Sequence, residues 1–162
     1  MAEKINARDA RLEDFLRDLS SDDGRTGSGA AGAIALALAA ACAAKAAAIT
    51  LKHTPENAQL IQARGQLLAH VDAAMEGSDD DSERFLQFLR HRSRLAAENV
   101  ISVDEKLLNL VDELAAILEA MDPEVRQNVA GDLVAARALS AAARTIQIEN
   151  IAEMRAAPTK QK

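Results

Sequence analysis

The stretch Ala30–Leu51, AAGAIALALAAACAAKAAAITL, decides the fold of this chain. Every fourth residue from position 31 to position 47 is alanine, and Ile34, Leu38 and Cys42 form a bulkier row beside the alanines. Both rows fit an α-helix, in which residues four apart lie on the same face. Because a row of small side chains lets another helix backbone come near, the sequence predicts that this helix is the central element of a bundle.

The same stretch could also be read as a membrane span, since a helix of this length extends roughly 33 Å. It consists mostly of Ala, which is only marginally apolar, and Lys45 interrupts it. A charged side chain is costly inside a bilayer. The N-terminus also lacks the basic-then-apolar order of a secretory signal. We therefore predict a buried helix of a soluble, cytoplasmic protein with no membrane partner.

Composition narrows the class of protein further. The 162 residues correspond to about one domain, and aromatic residues make up only 2%, with no Trp and no Tyr. Small and aliphatic side chains must therefore fill the core. The formal net charge of −6 argues against a nucleic-acid partner, because phosphate contacts need a basic surface. The single cysteine, Cys42, excludes an intrachain disulfide, and its place among alanines favours a small buried hydrophobe over a nucleophile.

The rest of the chain has helical periodicity and no strand-like alternation. The predicted helices, beside the alanine-rich one, are Ala7–Leu19, a helix from Thr54-Pro55 to Gly77, a helix from Ser78 to the basic run at Arg90, a helix from the capping box at Ser102 to Met121, and a last helix over Glu124–Met154. Ala136, Ala138, Ser140 and Ala142 should form a second smooth face that packs on the alanine-rich helix. We predict an all-α, single-domain bundle of about five to six antiparallel helices over residues 1–155, with a disordered tail over residues 156–162.

Three segments could carry chemistry, and each has a plainer alternative. Gly27-Ser28-Gly29 precedes the alanine-rich helix, where exposed backbone N–H groups can bind an anion, but a flexible turn would look the same. The acidic run Asp79-Asp80-Asp81 could supply a general acid or base, or only cap a helix. The basic residues Arg90, Arg92 and Arg94 could bind carboxylates, or pair with local acids. We predict no metal site, because the three His residues are scattered and no helix carries Glu-x-x-His. The sequence also has no Walker loop and no nucleophile elbow.

The order of these segments resembles the C-terminal family of formiminotransferase-cyclodeaminases, which includes stand-alone cyclodeaminases and methenyltetrahydrofolate cyclohydrolases. The family's loop Pro-Gly-Gly-Gly-Ser-x-Ala-Ala is similar to Thr26–Ala33, which keeps two glycines and has Ser28 and Ala30 at the positions of the middle Gly and the Ser. The family's acidic motif Val-Asp-x-Asp-x-x-x-Phe is similar to Ser78–Phe85, which keeps both Asp positions and the Phe. Asp132 matches the Asp that opens the family's last helix.

Two further departures from the family pattern lie later in the chain. The late Asn-Val-x-Ile-Asn stretch aligns with Thr145–Glu149, which loses both Asn residues. The connection that follows Phe85 is also shorter than is common in the family. The loss of the Gly-Gly-Gly-Ser core and of both late Asn residues leaves open a second interpretation, a catalytically degenerate helical dimer that binds a small ligand or a protein.

The resemblance implies a homodimeric bundle that acts on formimidoyl- or methenyl-tetrahydrofolate as substrate, with no permanently bound cofactor. By this resemblance Asp79 and Asp81 are the candidate catalytic acids. The candidate ligand-binding residues are Gly27, Ser28, Gly29, Thr50, Arg90, Arg92, Arg94 and Asp132. Opening or closing the five-membered ring of such a substrate requires proton transfer at N5, at N10 or at the attacking water.

Overall fold

A computed structural model of the protein describes residues 11–22 and 26–158. The described part contains five α-helices: α1 over Leu12–Leu19, α2 over Ser28–Leu51, α3 over Ala58–His91, α4 over Arg94–Met121 and α5 over Ala130–Ala156. Two short 3-10 turns, Asp122–Glu124 and Gln127–Val129, join α4 to α5, and the described ranges contain no strand. The predicted all-α bundle is therefore confirmed. Residues 7–10 of the first predicted helix and residues 159–162 of the predicted tail lie outside the described residues.

Helix α2 lies at the centre of the bundle, packed against α3, α5 and α4. Its alanines at 33, 37, 40, 44 and 47 are buried together with those at 39, 43 and 46, and Leu36 is fully buried among them. The bulkier row of Ile34, Leu38 and Cys42 lies on the outer side, where Leu38 is 51% exposed. Close helix packing through alanine thus replaces the aromatic side chains that this chain lacks.

The length and hydropathy of α2 would also allow it to cross a membrane. Half of the most apolar stretch of this helix is buried inside the bundle. Lys45 on its surface donates a hydrogen bond to Asp132 at 2.9 Å. Within this structure the helix therefore serves as the core of a helical bundle.

The predicted helix end at Gly77 is wrong, because α3 runs without a break from Ala58 to His91. A Cβ built on Gly77 would lie only 2.7 Å from Leu107 Cδ2. This glycine therefore provides a close approach between α3 and α4 in mid-helix. The acidic run 79–81 consequently lies inside a helix, not in a first turn where acids would favourably meet the helix dipole.

Two predicted helix starts also differ in the structure. Helix α3 begins after Asn57, whose side chain accepts the Leu60 N–H at 3.1 Å, and not at Thr54. Helix α4 begins after Ser93, whose hydroxyl accepts the Ala96 N–H at 3.2 Å, so the predicted capping box at Ser102 lies inside the helix. In both cases a residue whose side chain accepts a backbone N–H of the first turn determines the start, three residues later than predicted for α3 and nine residues earlier for α4.

Helix α5 runs antiparallel to α2 and begins at Ala130, later than the predicted Glu124 because the 3-10 turns intervene. Its small buried residues are Ala136, Ser140 and Ala143. Ala138 and Ala142, which we predicted on this face, are exposed. A helix turns 3.6 residues per turn, so the buried face continues from 136 and 140 to 143 and 147 and leaves 138 and 142 outside.

Candidate functional site

The glycine-containing loop and the acidic run of the sequence meet at the N-terminus of α2. Asp81, in the C-terminal third of α3, is only 1% exposed and lies against Gly29. A Cβ on Gly29 would lie 2.5 Å from Asp81 Oδ1, so only glycine fits at this position. The backbone N–H of Ala30 donates to the Asp81 carboxylate. The first turn of α2 thus places its free N–H groups at a buried acid, an arrangement that favours negative charge there.

A second buried acid, Asp104 of α4, completes the cluster. Asp104 is 0% exposed, and its Oδ2 accepts a hydrogen bond from Asn150 Nδ2 of α5 at 2.6 Å. The same Asn150 amide accepts a hydrogen bond from the exposed Ser28 hydroxyl at 3.3 Å. Ser28, Asn150 and Asp104 therefore form a chain of hydrogen bonds from the surface to the interior.

Two more buried polar residues line the same end of α2. Gln147 Nε2 donates to the Gly29 carbonyl at 2.9 Å, and the Ser78 hydroxyl donates to the Ala30 carbonyl at 3.3 Å. Gly32 provides the space for Gln147, because a Cβ there would lie 2.7 Å from Gln147 Nε2. We call the set Ser28, Gly29, Ser78, Asp81, Asp104, Gln147 and Asn150 the polar cluster. All four long helices contribute to it.

Burial makes both carboxyl groups of the polar cluster weaker acids than usual. Loss of hydration raises the pKa of Asp81 to about 6, although the Ala30 N–H opposes this shift. Burial and the nearby negative charge of Asp81 raise the pKa of Asp104 to about 8, although the hydrogen bond from Asn150 opposes the shift. One oxygen of each carboxyl group, Oδ1, has no hydrogen-bond partner. Groups with such pKa values can exchange protons near neutral pH.

The polar cluster does not include Asp79, the other predicted catalytic acid. Asp79 is half-buried on α3. Residues two apart on a helix point roughly 200° away from each other, so Asp79 cannot face α2 together with Asp81. The structure therefore separates the two Asp residues of the acidic motif.

Two of the predicted ligand-binding residues lie at the opposite end of α2. The buried Thr50 hydroxyl accepts the backbone N–H of Arg126 at 3.2 Å, which joins α2 to the second 3-10 turn. Asp132 pairs with Lys45, near the C-terminal end of α2. Along α2, Gly29 is separated by roughly 32 Å from Thr50 and by roughly 24 Å from Lys45, the partner of Asp132. They cannot contact one small ligand together with the polar cluster.

The three predicted arginines lie where α3 meets α4, beyond the N-terminus of α2. Arg92 ends α3 in the left-handed conformation with φ 49°, and its guanidinium lies 5.3 Å from the centre of the Phe88 ring. Arg94 forms an ion pair with Glu98 at 3.0 Å, and Arg90 is exposed. Gly27 is nearer to the polar cluster, with the Phe85 ring 3.6 Å from the position of a Cβ. The arginines thus lie on the same end of the bundle as the polar cluster, but outside it.

Sequence reasoning missed Asp104, Gln147 and Asn150. Thr145 and Glu149, at the positions we aligned with the late family motif, are exposed, whereas Gln147 and Asn150 are buried. A signal did exist, because Asp104 stands three residues from Ile101 and from Leu107 on an otherwise apolar helix face. A polar residue in the apolar phase of a helix is the pattern that identifies all three.

Three grooves lie elsewhere on the described surface. A groove of about 450 Å³ runs between α4 and α5 past Val111, Arg137 and Arg144. Two others, of about 370 Å³ and about 260 Å³, lie between α3 and α4. None of these three has Gly27–Gly29 in its wall. Within residues 11–22 and 26–158, no group of three or more His, Cys, Asp or Glu residues could hold a metal ion.

The fold and the polar cluster define an all-α bundle with buried acids at the start of its central helix. Among solved structures, the chain is similar to the crystal structure of formiminotetrahydrofolate cyclodeaminase from Thermotoga maritima. The TM-score is 0.78, and the match covers 92% of this chain and 80% of that chain at 19% sequence identity. This similarity shows that the two proteins share a fold. No protein-family model matches the sequence, and no curated protein matches it.

Proposed function

We propose that the protein is a folate one-carbon enzyme of the cyclodeaminase or cyclohydrolase type. Its substrate would be a formimidoyl- or methenyl-tetrahydrofolate. The observation that carries the proposal is the contact between Gly29 and Asp81. These residues come from the two sequence segments that resemble the family, and they meet in a chain that shares the fold of a cyclodeaminase.

The buried acids fit the chemistry that such a reaction needs. A general acid or base works best when its pKa lies near the working pH. The pKa of Asp81, raised to about 6, satisfies this condition. Asp81 would take a proton from the attacking group or give one to the departing nitrogen. The exposed Ser28 and the backbone N–H groups of the first turn of α2 would contact the ligand beside it.

The arginines beyond the cluster fit the other end of such a ligand. Arg90 and Arg92 are exposed on the same end of the bundle as the polar cluster. The glutamyl carboxylates of a tetrahydrofolate would meet them as charge-assisted hydrogen-bond acceptors. Thr50 and Asp132 have no part in this arrangement, because they lie at the far end of α2.

The proposal is tested by the absorbance change of methenyl-tetrahydrofolate on incubation with the purified protein. We expect turnover by the wild type and loss of at least about a hundredfold in rate for Asp81→Asn, the typical contribution of a general acid or base. Asp80→Asn is the matched control, since Asp80 is the exposed neighbour on the same helix. Neither binding nor turnover of any tetrahydrofolate by the wild-type protein would refute the proposal.

A second candidate function is a catalytically degenerate homodimer that binds a small ligand or a protein. The observation that favours it is the close packing of Gly29 against Asp81 and Asn150, which leaves no room for even a methyl group at that point. Exposed apolar residues on α2 and α5, Leu38, Val134 and Ile148, would supply an interface. Sedimentation of the wild type and of Leu38→Glu separates the cases. A dimer that Leu38→Glu dissociates, with no folate turnover by the wild type, supports this alternative.

A further inference from the structure

We propose that Asp104 is the second member of the acid site, and that Asp81 and Asp104 together hold a single proton at neutral pH. In this pair Asp104 keeps the proton, Asp81 is ionised, and Asn150 positions Asp104. The site therefore holds an acid and a base side by side. The use of this proton in a reaction rests on the proposed function, whereas the presence of the proton does not.

The geometry around Gly29 brings the two acids together. The position of a Gly29 Cβ lies 2.5 Å from Asp81 Oδ1 and 2.8 Å from Asn150 Nδ2. The same Asn150 nitrogen lies 2.6 Å from Asp104 Oδ2. The Asn150 amide therefore donates to Asp104 and lies beside Gly29, against which Asp81 packs. Both side chains are almost completely buried, so bulk water screens their charges from each other only weakly.

The charges around the pair cannot balance two ionised carboxylates. Among the described residues, the charged groups that act on Asp104 are Asp81 of α3 and Glu105 of α4, both negative. The positive charge of Arg155 of α5 is paired with Glu105 at the surface, at 3.3 Å. Helix α2 offers the Ala30 N–H to Asp81 only. The charge of Asp81 acts on Asp104 inside one buried site, and two like charges in such a site do not both ionise at neutral pH, so one proton stays.

The two surroundings also determine which acid keeps the proton. Asp81 lies at the positive end of α2 and accepts the Ala30 N–H, which stabilises its ionised form. Asp104 has a single amide donor and lies beside the charge of Asp81. When neighbouring acids have different surroundings, the one that ionises less readily serves as the acid and the other as the base. Asp104 therefore keeps the proton. It would act on a substrate only through Asp81, as a positioning residue.

Carbon-13 NMR of the aspartate carboxyl groups tests the pair directly, with a pH titration of the wild type and of single variants. We expect two steps in the wild type, both above the range of exposed aspartates. In Asp81→Asn the step of Asp104 should move down by about one pH unit, because the neighbouring charge is gone. In Asn150→Ala the step of Asp104 should move up, because the donor to its ionised form is lost. Asp80→Asn should move neither step.

The outcomes of this titration are separable from those of the activity test. An Asp104 step that stays in place in Asp81→Asn, or that lies in the range of exposed aspartates, overturns the single retained proton even if the protein turns over folates. If the titration matches but no tetrahydrofolate reacts, the pair stands and the proposed function fails. In an active enzyme, Asp104→Asn should remove the alkaline limb of the pH–rate profile. A uniform loss of rate at every pH would show that Asp104 has only a structural role.

Discussion

Replacing Asp104 by Asn removes a buried ionisable group while keeping its size and an oxygen that accepts the Asn150 hydrogen bond. In the wild type the folded chain holds the Asp104 proton far more tightly than the unfolded chain, since burial raises the pKa from 3.8 to about 8. Between these values the folded state binds more protons than the unfolded state. The free energy of unfolding therefore falls as pH rises, and the fall ends above the folded pKa.

The size of the effect follows from the linkage relation, in which one pKa unit is worth about 1.4 kcal/mol. Between about pH 6 and about pH 8, Asp104 should lower the stability of the wild type by about 2 kcal/mol. Asp104→Asn lacks this loss. The free energy of unfolding of the variant, relative to that of the wild type, should therefore rise by about 2 kcal/mol between about pH 6 and about pH 8. Asp81 contributes little to the difference, because most of its own effect lies below its pKa of about 6.

Urea unfolding monitored by far-ultraviolet circular dichroism measures both stabilities, and it suits a chain without Trp or Tyr. The pH interval also avoids the isoelectric point near 5.1, where a chain without net charge tends to aggregate. Asp80→Asn serves as the exposed control and should parallel the wild type. If the stabilities of Asp104→Asn and of the wild type run parallel from about pH 6 to about pH 8, the reasoning about the buried proton is refuted.

Three further predictions concern packing and a buried hydrogen bond. Gly29→Ala should destabilise the protein by about 1–3 kcal/mol, because its Cβ would meet a buried carboxylate at 2.5 Å. Gly65→Ala, with open space around the new Cβ, should stabilise the protein by about 0.5–1 kcal/mol. Chemical denaturation measures both differences. Leu36→Ala should cost about 2–5 kcal/mol and Leu38→Ala less than about 1 kcal/mol, and equal losses would contradict the central position of α2. Thr50→Val should lower thermal stability by about 1–3 kcal/mol, since a backbone N–H loses its acceptor, and should leave any folate turnover unchanged.

The fold was predictable because periodicity reports burial over long segments. The alanine rows of α2 indicated a central helix, and the bundle has one. Helix boundaries were less predictable. A glycine such as Gly77 can end a helix or make room for a neighbouring side chain, and the local sequence looks the same in both cases. The contact with Leu107 that decides between these roles is made by a residue thirty positions away.

The candidate site was predictable only in part, for a related reason. Local sequence showed Gly27–Gly29 and Asp81 as separate segments, and the structure brings them into contact. Asp104 and Asn150 carry no local motif, because their role comes from packing of α4 and α5 against the start of α2. The family motif was also aligned with the last helix a few residues away from the buried Gln147 and Asn150. On a helix, such a shift changes the face that a side chain occupies.

The two-residue link between α3 and α4 has a consequence for how the protein folds. Arg92 and Ser93 turn the chain directly from one long helix into the next, so this hairpin joins residues close in sequence and can form early. Helices α2 and α5 lie far apart along the chain and meet only after a large loop has closed. The polar cluster needs all four helices, so we expect it to assemble last, and its two acids are weak only in the fully folded chain.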